Sequence, residues 1–144
     1  MILNANLLLS DAQAITATAI SENVINWEAM GIAPYESAAI ARNLGAGTPV
    51  PMLIQVTQVF NNLTSLTINI ETADNAALSS GAVVLSSSGA IPLASLAAGF
   101  MPTFTRHLPA GTMKDFFGLR YTVAGTAPTT GQITAAVATE VQSA

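Results

Sequence analysis

The sequence contains no cysteine and a single histidine, His107. No structural disulfide can form, and a zinc site, which needs several His, Cys or carboxylate ligands, is nearly excluded. A nucleophile triad would need that histidine to meet an acid and a serine. No GxSxG elbow is present, and His107 follows Arg106 in a stretch that reads as strand surface or interface. Charge is scarce too: 8% of residues are charged, four Lys+Arg against eight Asp+Glu, where soluble domains carry about 25%. With so few cations there is no basic patch for phosphates, so nucleic acid is not expected as a direct ligand. No apolar run approaches the ~20 residues that span a bilayer, so no membrane partner is expected. The opening MILNANLLLSDAQ is apolar but holds no Lys or Arg and is broken by Asn4 and Asn6. It does not read as a secretory signal, which points to a chain used in the cytoplasm or released by lysis.

What is present is a 144-residue chain that is 51% hydrophobic. That is enough for one domain, 1–144, burying roughly 68–70% of the surface its unfolded chain exposes. Its formal net charge is -4, so Thr, Ser, Asn, Gln and Ala must cover the outside. Such a surface protects a lone monomer poorly against association. The composition therefore implies a chain covered by copies of itself or by another protein.

Hydrophobic residues recur with a period of two, the mark of strands with one buried face. Phe117, Leu119, Tyr121 and Val123 share one parity. After Gly125-Thr-Ala-Pro-Thr-Thr-Gly131, Ile133, Ala135, Val137 and Val141 share one parity again. These two runs read as an antiparallel pair joined by a wide loop. Met52–Phe60 and Ser65–Thr72, separated by Asn61-Asn62-Leu63, read as a hairpin. Asp11–Trp27 predicts one or two strands with a break near Ser21-Glu22-Asn23. Ala82–Ser86 and Thr103–Leu108 predict short strands, with Ser86-Ser-Ser-Gly89 as a loop and Leu93–Ala98 as a turn or helical piece. Seven or eight short strands without a long helix imply a sandwich, jelly roll or barrel.

Two stretches escape this pattern. Residues 1–10, with Met1, Ile2, Leu3, Leu7, Leu8 and Leu9, are either a first strand on their own domain or an arm docking on a neighbouring subunit. Glu28–Pro51 is a long irregular loop punctuated by Gly and Pro; a loop of this length tends to be functional and here suits a partner contact. Ser37–Leu44 within it can make two helical turns or run extended. Tyr35 and Arg42 in this loop join the interface candidates, as does Trp27, the single tryptophan, read as a partly buried anchor. Arg120 is the one charge inside the strongest strand. A solvated outer-face residue is the bland reading; an intersubunit salt bridge or a hydrogen bond to a main-chain carbonyl is favoured. On that reading, Arg120→Ala should weaken assembly more than it lowers the subunit's melting temperature. Asp74-Asn75 after Glu71 reads as an Asx-type turn rather than a calcium loop. Gly45-Ala-Gly47 lacks the third glycine of a phosphate cradle. Neither catalysis nor a cofactor is expected.

Four segments together carry a resemblance: Leu7-Leu-Leu-Ser-Asp-Ala-Gln-Ala14, Asn43-Leu-Gly-Ala-Gly-Thr-Pro49, Ser65-Leu-Thr-Ile-Asn-Ile-Glu-Thr72 with the following Ala73-Asp-Asn-Ala-Ala-Leu-Ser-Ser80, and Leu119 through Ala135. In order and spacing the chain resembles the capsid cement (decoration) proteins of short-tailed bacteriophages, the family typified by a Bordetella phage cement protein. It departs at residues 73–75, which read Ala-Asp-Asn where a more acidic connection would fit. The resemblance implies an all-β, single-domain jelly-roll/β-sandwich of about eight antiparallel strands on the outer surface of an icosahedral head. It implies a homo-oligomer, dimer or trimer, binding across junctions of the major capsid protein and stabilising the shell, with no catalytic residues. A carbohydrate-binding β-sandwich, such as a head-fibre or receptor-binding module, is the alternative; it would want exposed aromatics, and aromatics are 6% of this chain. A hydrolase on the same scaffold is disfavoured by the single histidine.

Overall fold

The alternating runs become eight strands in a computed structural model that describes residues 3–27, 34–35, 37, 50–104, 107–110 and 113–138. They are β1 (Leu3–Ala14), β2 (Ala19–Ile20), β3 (Ile25–Asn26), β4 (Met52–Gln58), β5 (Leu63–Ala73), β6 (Val83–Pro92), β7 (Phe116–Gly125) and β8 (Gln132–Ala138), with a single 3-10 turn at Leu93–Ser95. β-Branched and aromatic residues at every second position suit a pleated, half-buried surface. One sheet has the order β1-β8-β4. The other has the order β2-β7-β5-β6, with β3 also pairing β7.

All pairings are antiparallel, and four of them are nested. β1 pairs β8, β2 pairs β7, β4 is prolonged by a bridge from Pro51 to His107, and β5 pairs β6. That is one long hairpin, folded at the β5–β6 connection. Rolling it up adds the β8–β4 and β7–β5 ladders and closes two sheets on each other. The result is a jelly-roll β-sandwich, as the strand pattern and the resemblance led one to expect.

The inner faces interdigitate. Leu66, Ile68 and Ile70 of β5 and Phe117, Leu119 and Tyr121 of β7 meet Met52, Ile54 and Val56 of β4 and Ile133, Ala135 and Val137 of β8 in one hydrophobic cluster. Each fully buried Leu, Ile or Phe contributes about 1.5–3 kcal/mol relative to exposure. The last part of β8 is covered on both faces: Ala136, Ala138 and the facing Leu53 are buried although they lie on the parity opposite to the core.

Strand partners differ from the sequence expectation in two places. β7 and β8 do not pair; they lie in different sheets, and residues 126–131 are a corner between them. β4 and β5 likewise lie in different sheets, and Asn61-Asn62 is the corner. The period of two identifies a buried face but not the neighbour that shares the ladder, so alternation could not decide this. Two shorter readings also change. Ser86–Gly89 is not a loop but part of β6, where two register shifts accommodate extra residues. There the Ser88 hydroxyl accepts from the Ile68 amide at 2.9 Å, replacing a lost ladder bond. The strand expected at Thr103–Leu108 reduces, in its described part, to the His107 bridge and the Leu108 amide donating to the Val50 carbonyl.

A buried polar chain ties the sheets together. The Ser10 hydroxyl donates to Gln13 Oε1 at 2.7 Å, so at its 2.8 Å contact with Tyr121 the phenol must be the donor. Gln13 Oε1 also accepts from the Glu22 amide, and Gln13 Nε2 donates to the Ile20 carbonyl. Burial pushes the Tyr121 pKa up, which keeps the phenol protonated for this role. Ser10→Ala strands a buried donor and is expected to cost ~1–3 kcal/mol. Tyr121→Phe leaves the Ser10–Gln13 bond intact and should cost only ~0.5–1.5 kcal/mol. Because the folded pKa is raised, Tyr121's contribution is complete below the ordinary tyrosine value of about 10 and is lost as pH rises beyond it. Thermal melts of both variants check the order; equal losses, or an alkaline limb unchanged in Tyr121→Phe, would refute the assignment.

Candidate functional site

The two corners between sheets lie at the same end of the sandwich. β4 reaches this pole at Gln58, β5 leaves it at Leu63, β7 arrives at Gly125 and β8 departs from Gln132. Residues 15–18 lead from β1 toward β2 beside it, and Pro92 of β6 pairs with Ser65. Segments 15–18, 57–65, 92–99 and 123–132 therefore build one pole, and none of them holds a charged residue. The described charges lie elsewhere: Asp11 and Glu22, the Glu71–Arg120 pair, and Asp74, Lys114 and Asp115 toward the other end.

The pole is preformed by hydrogen bonds that replace ladder pairing. Asn61 Oδ1 accepts from the amides of Thr129 and Thr130 at 2.8 and 3.0 Å, and its Nδ2 donates to Thr129 Oγ1 at 2.7 Å. Thr130 Oγ1 donates to the Val59 carbonyl, and the Ile15 amide donates to the Gly131 carbonyl. The Phe60 amide reaches the Leu96 carbonyl, and the Val123 amide reaches Thr18 Oγ1. Pro128 is buried beneath. What remains on the outside is mostly Thr, Ala and Gly, with Val59 53% exposed. Small uncharged side chains on a fixed frame lose little entropy and little charge solvation when another surface covers them.

Other surface features are weaker. An open groove of about 180 Å³ is lined by Ser88, Ile91, Phe100, Pro102, Thr103 and Phe104. β6 ends its sheet and exposes Val83 and Val84, but its two register shifts twist the ladder, a device that discourages strand addition. Among the described residues no three of His, Cys, Asp and Glu converge. No helix among them is long and apolar enough to cross a membrane.

The interface candidates read from sequence fall in different places. Residues 3–10 open β1 and pair with β8 of their own chain, so this part is a strand rather than an arm; Met1 and Ile2 lie outside the described residues. Leu9 is fully buried in the chain's own core and is removed from the contact set, while Leu7 packs against that core and Leu8 is half-buried. Leu3 pairs with Ala138. Trp27 also packs on the core, its ring 6.0 Å from that of Phe117. Tyr35 is fully exposed. Arg42 lies outside the described residues, as does most of the loop expected at 28–51, including all but Ser37 of the Ser37–Leu44 stretch.

Arg120 is committed within its own chain. Its Nε donates to both carboxylate oxygens of Glu71, at 3.0 and 2.9 Å, and an Nη2 hydrogen bonds the Leu78 carbonyl. Leu78, fully buried, folds the β5–β6 connection over this pair. The Asx-type turn holds: Asn75 Oδ1 accepts from the Ser79 and Ser80 amides, and Leu78 sits inside that turn.

None of the pole residues was singled out from sequence. The available signal was linear: no charge occurs in 43–70, 75–105 or 121–139. Only the corners bring parts of those runs to one surface. A comparison with curated proteins finds no match. Residues 9–137 match the Bbp16 family, which carries the name of a Bordetella phage protein, and the chain belongs to that family.

Proposed function

We propose that this chain is a capsid cement protein, bound to the outside of the phage head across junctions of the major capsid protein. The observation that carries the reading is the rigid, uncharged pole on a jelly-roll frame in a member of a phage protein family. A surface of this kind suits lasting contact between proteins. In this reading the chain performs no catalysis and needs no cofactor. It acts as a homo-oligomer: once one copy is seated, its partner meets the next capsid subunit at high effective concentration, so modest contacts add to a firm clamp. The carbohydrate-binding alternative finds its foothold in the groove beside Phe100 and Phe104. At about 180 Å³ that groove is smaller than the ~300–1,000 Å³ of ordinary ligand sites.

The test is direct. Purified protein is mixed with phage heads lacking it and sedimented, and the heads are then heated. Saturable binding at a fixed number of copies per head, with genome release shifted to higher temperature, is the expected result. Protein that stays in the supernatant, or heads that gain no heat resistance, would remove the proposal.

A further inference from the structure

We infer that the uncharged pole is the face through which two copies of the chain meet. This rests on the oligomer invoked above and names the surface that makes it. Each copy carries a formal net charge of -4, so two copies repel unless they approach through a face free of acids. Contact along the β1 side would set Asp11 and Glu22 against the same residues of the second copy. Contact near the β5–β6 connection would bring together two copies of Asp115 and of the Asp74–Lys114 pair, a face that keeps an excess acid on each copy; Asp11, Glu22, Asp74 and Asp115 are all exposed. Like charges brought together and desolvated are strongly disfavoured. Among the described residues the pole holds no acid, so no such juxtaposition arises there among them. A partner of opposite charge would gain by choosing the acidic sides instead, so the neutrality of the pole favours a partner with this chain's own charge.

Size and stiffness agree with that occupant. The pole presents about twenty exposed residues, against ~20–30 on each side of a standard interface. Val59 supplies an apolar point on the surface, and the small Thr and Ala side chains around it allow backbones to approach closely. A twofold contact uses the same patch on both copies, which a self-compatible neutral surface permits.

The experiment places acids on the pole. Gln58→Glu is nearly isosteric, and Ala127→Asp lies on an exposed loop position. The control, Thr67→Glu, adds a charge to the outer face of the five-stranded sheet. Mass is measured by light scattering over a wide concentration range at low and high salt, with thermal melts to confirm folding. The expected result is a dimer for the wild type and the control. The double variant should be a monomer that melts like the wild type and regains dimer as salt screens the added charge. Should Ala127→Asp disturb folding, Gln58→Glu alone is expected to shift dimerisation to higher concentration. A double variant as dimeric as the wild type, or a wild type that stays monomeric throughout, would overturn the inference. Head sedimentation separates the two claims. A dimeric wild type that ignores heads defeats the cement reading and leaves the pole as the dimer face. Pole variants that still dimerise but lose head binding make the shell the occupant and defeat this inference.

Discussion

Replacing Arg120 with alanine is expected to lower the stability of the isolated subunit by ~2–4 kcal/mol. The Glu71 side chain is 5% exposed and its two oxygens are held by one guanidinium, which itself is 30% exposed. Removing the arginine leaves a buried carboxylate without a counter-charge. Breaking a fully buried pair costs ~3–5 kcal/mol; water reaching the space vacated by the partly exposed arginine reduces that figure. The Leu78 carbonyl also loses its partner, so the β5–β6 connection should loosen over the sheet. This reverses the order of effects expected from sequence, in which assembly suffers before the subunit does. Thermal and denaturant unfolding of the variant decide the matter. Replacing both Glu71 and Arg120 with leucine and methionine should recover most of the loss, because no charge is then stranded. A single Arg120→Ala variant that melts like the wild type would show that the pair contributes nothing.

Gly131→Ala is expected to have a comparable or larger effect. Gly131 sits at φ +133°, where L side chains rarely go. A β-carbon built there points into the Phe60 ring, which is itself buried. Backbone strain costs about 1–3 kcal/mol and overpacking a further ~1–3 kcal/mol. The ring cannot retreat freely, because the Phe60 backbone is tied to the Leu96 carbonyl and Asn61 next to it clamps the opposite corner. Denaturant titration should therefore show a loss of ~2–6 kcal/mol, with the pole losing order first in hydrogen exchange at Thr129 and Thr130. A neutral Gly131→Ala would mean that the corner relaxes without cost, and the rigidity ascribed to the pole would be lost with it.

Much of the strand inventory was legible, for a local reason. Leu66, Ile68 and Ile70 alternate with polar residues, and so do Phe117, Leu119 and Tyr121; one buried face is enough to write that pattern into a chain. Where both faces are covered the signal fades: Ala136 and Ala138 are buried on the parity opposite to the core, and alanine is too small and too common on surfaces to mark it. Ser86–Gly89 read as a loop because serine and glycine usually punctuate, whereas here they fill a bulged edge of β6. Arg120 was identified as unusual from its place in a strand, but its partner, Glu71, is 49 positions away and was found only in space.

From composition and alternation alone came the all-β class, the lack of cysteine and near-lack of histidine, and a charge poverty from which a covering partner is expected; these depend on residue identities or near neighbours. The tertiary structure decided which strands share a ladder, sending β7 and β8 to opposite sheets, and it gathered four charge-free stretches into one pole. The physical reason is that hydrophobic burial is non-directional. It specifies which face turns inward, while long-range hydrogen bonds such as those of Asn61 choose which inward faces meet.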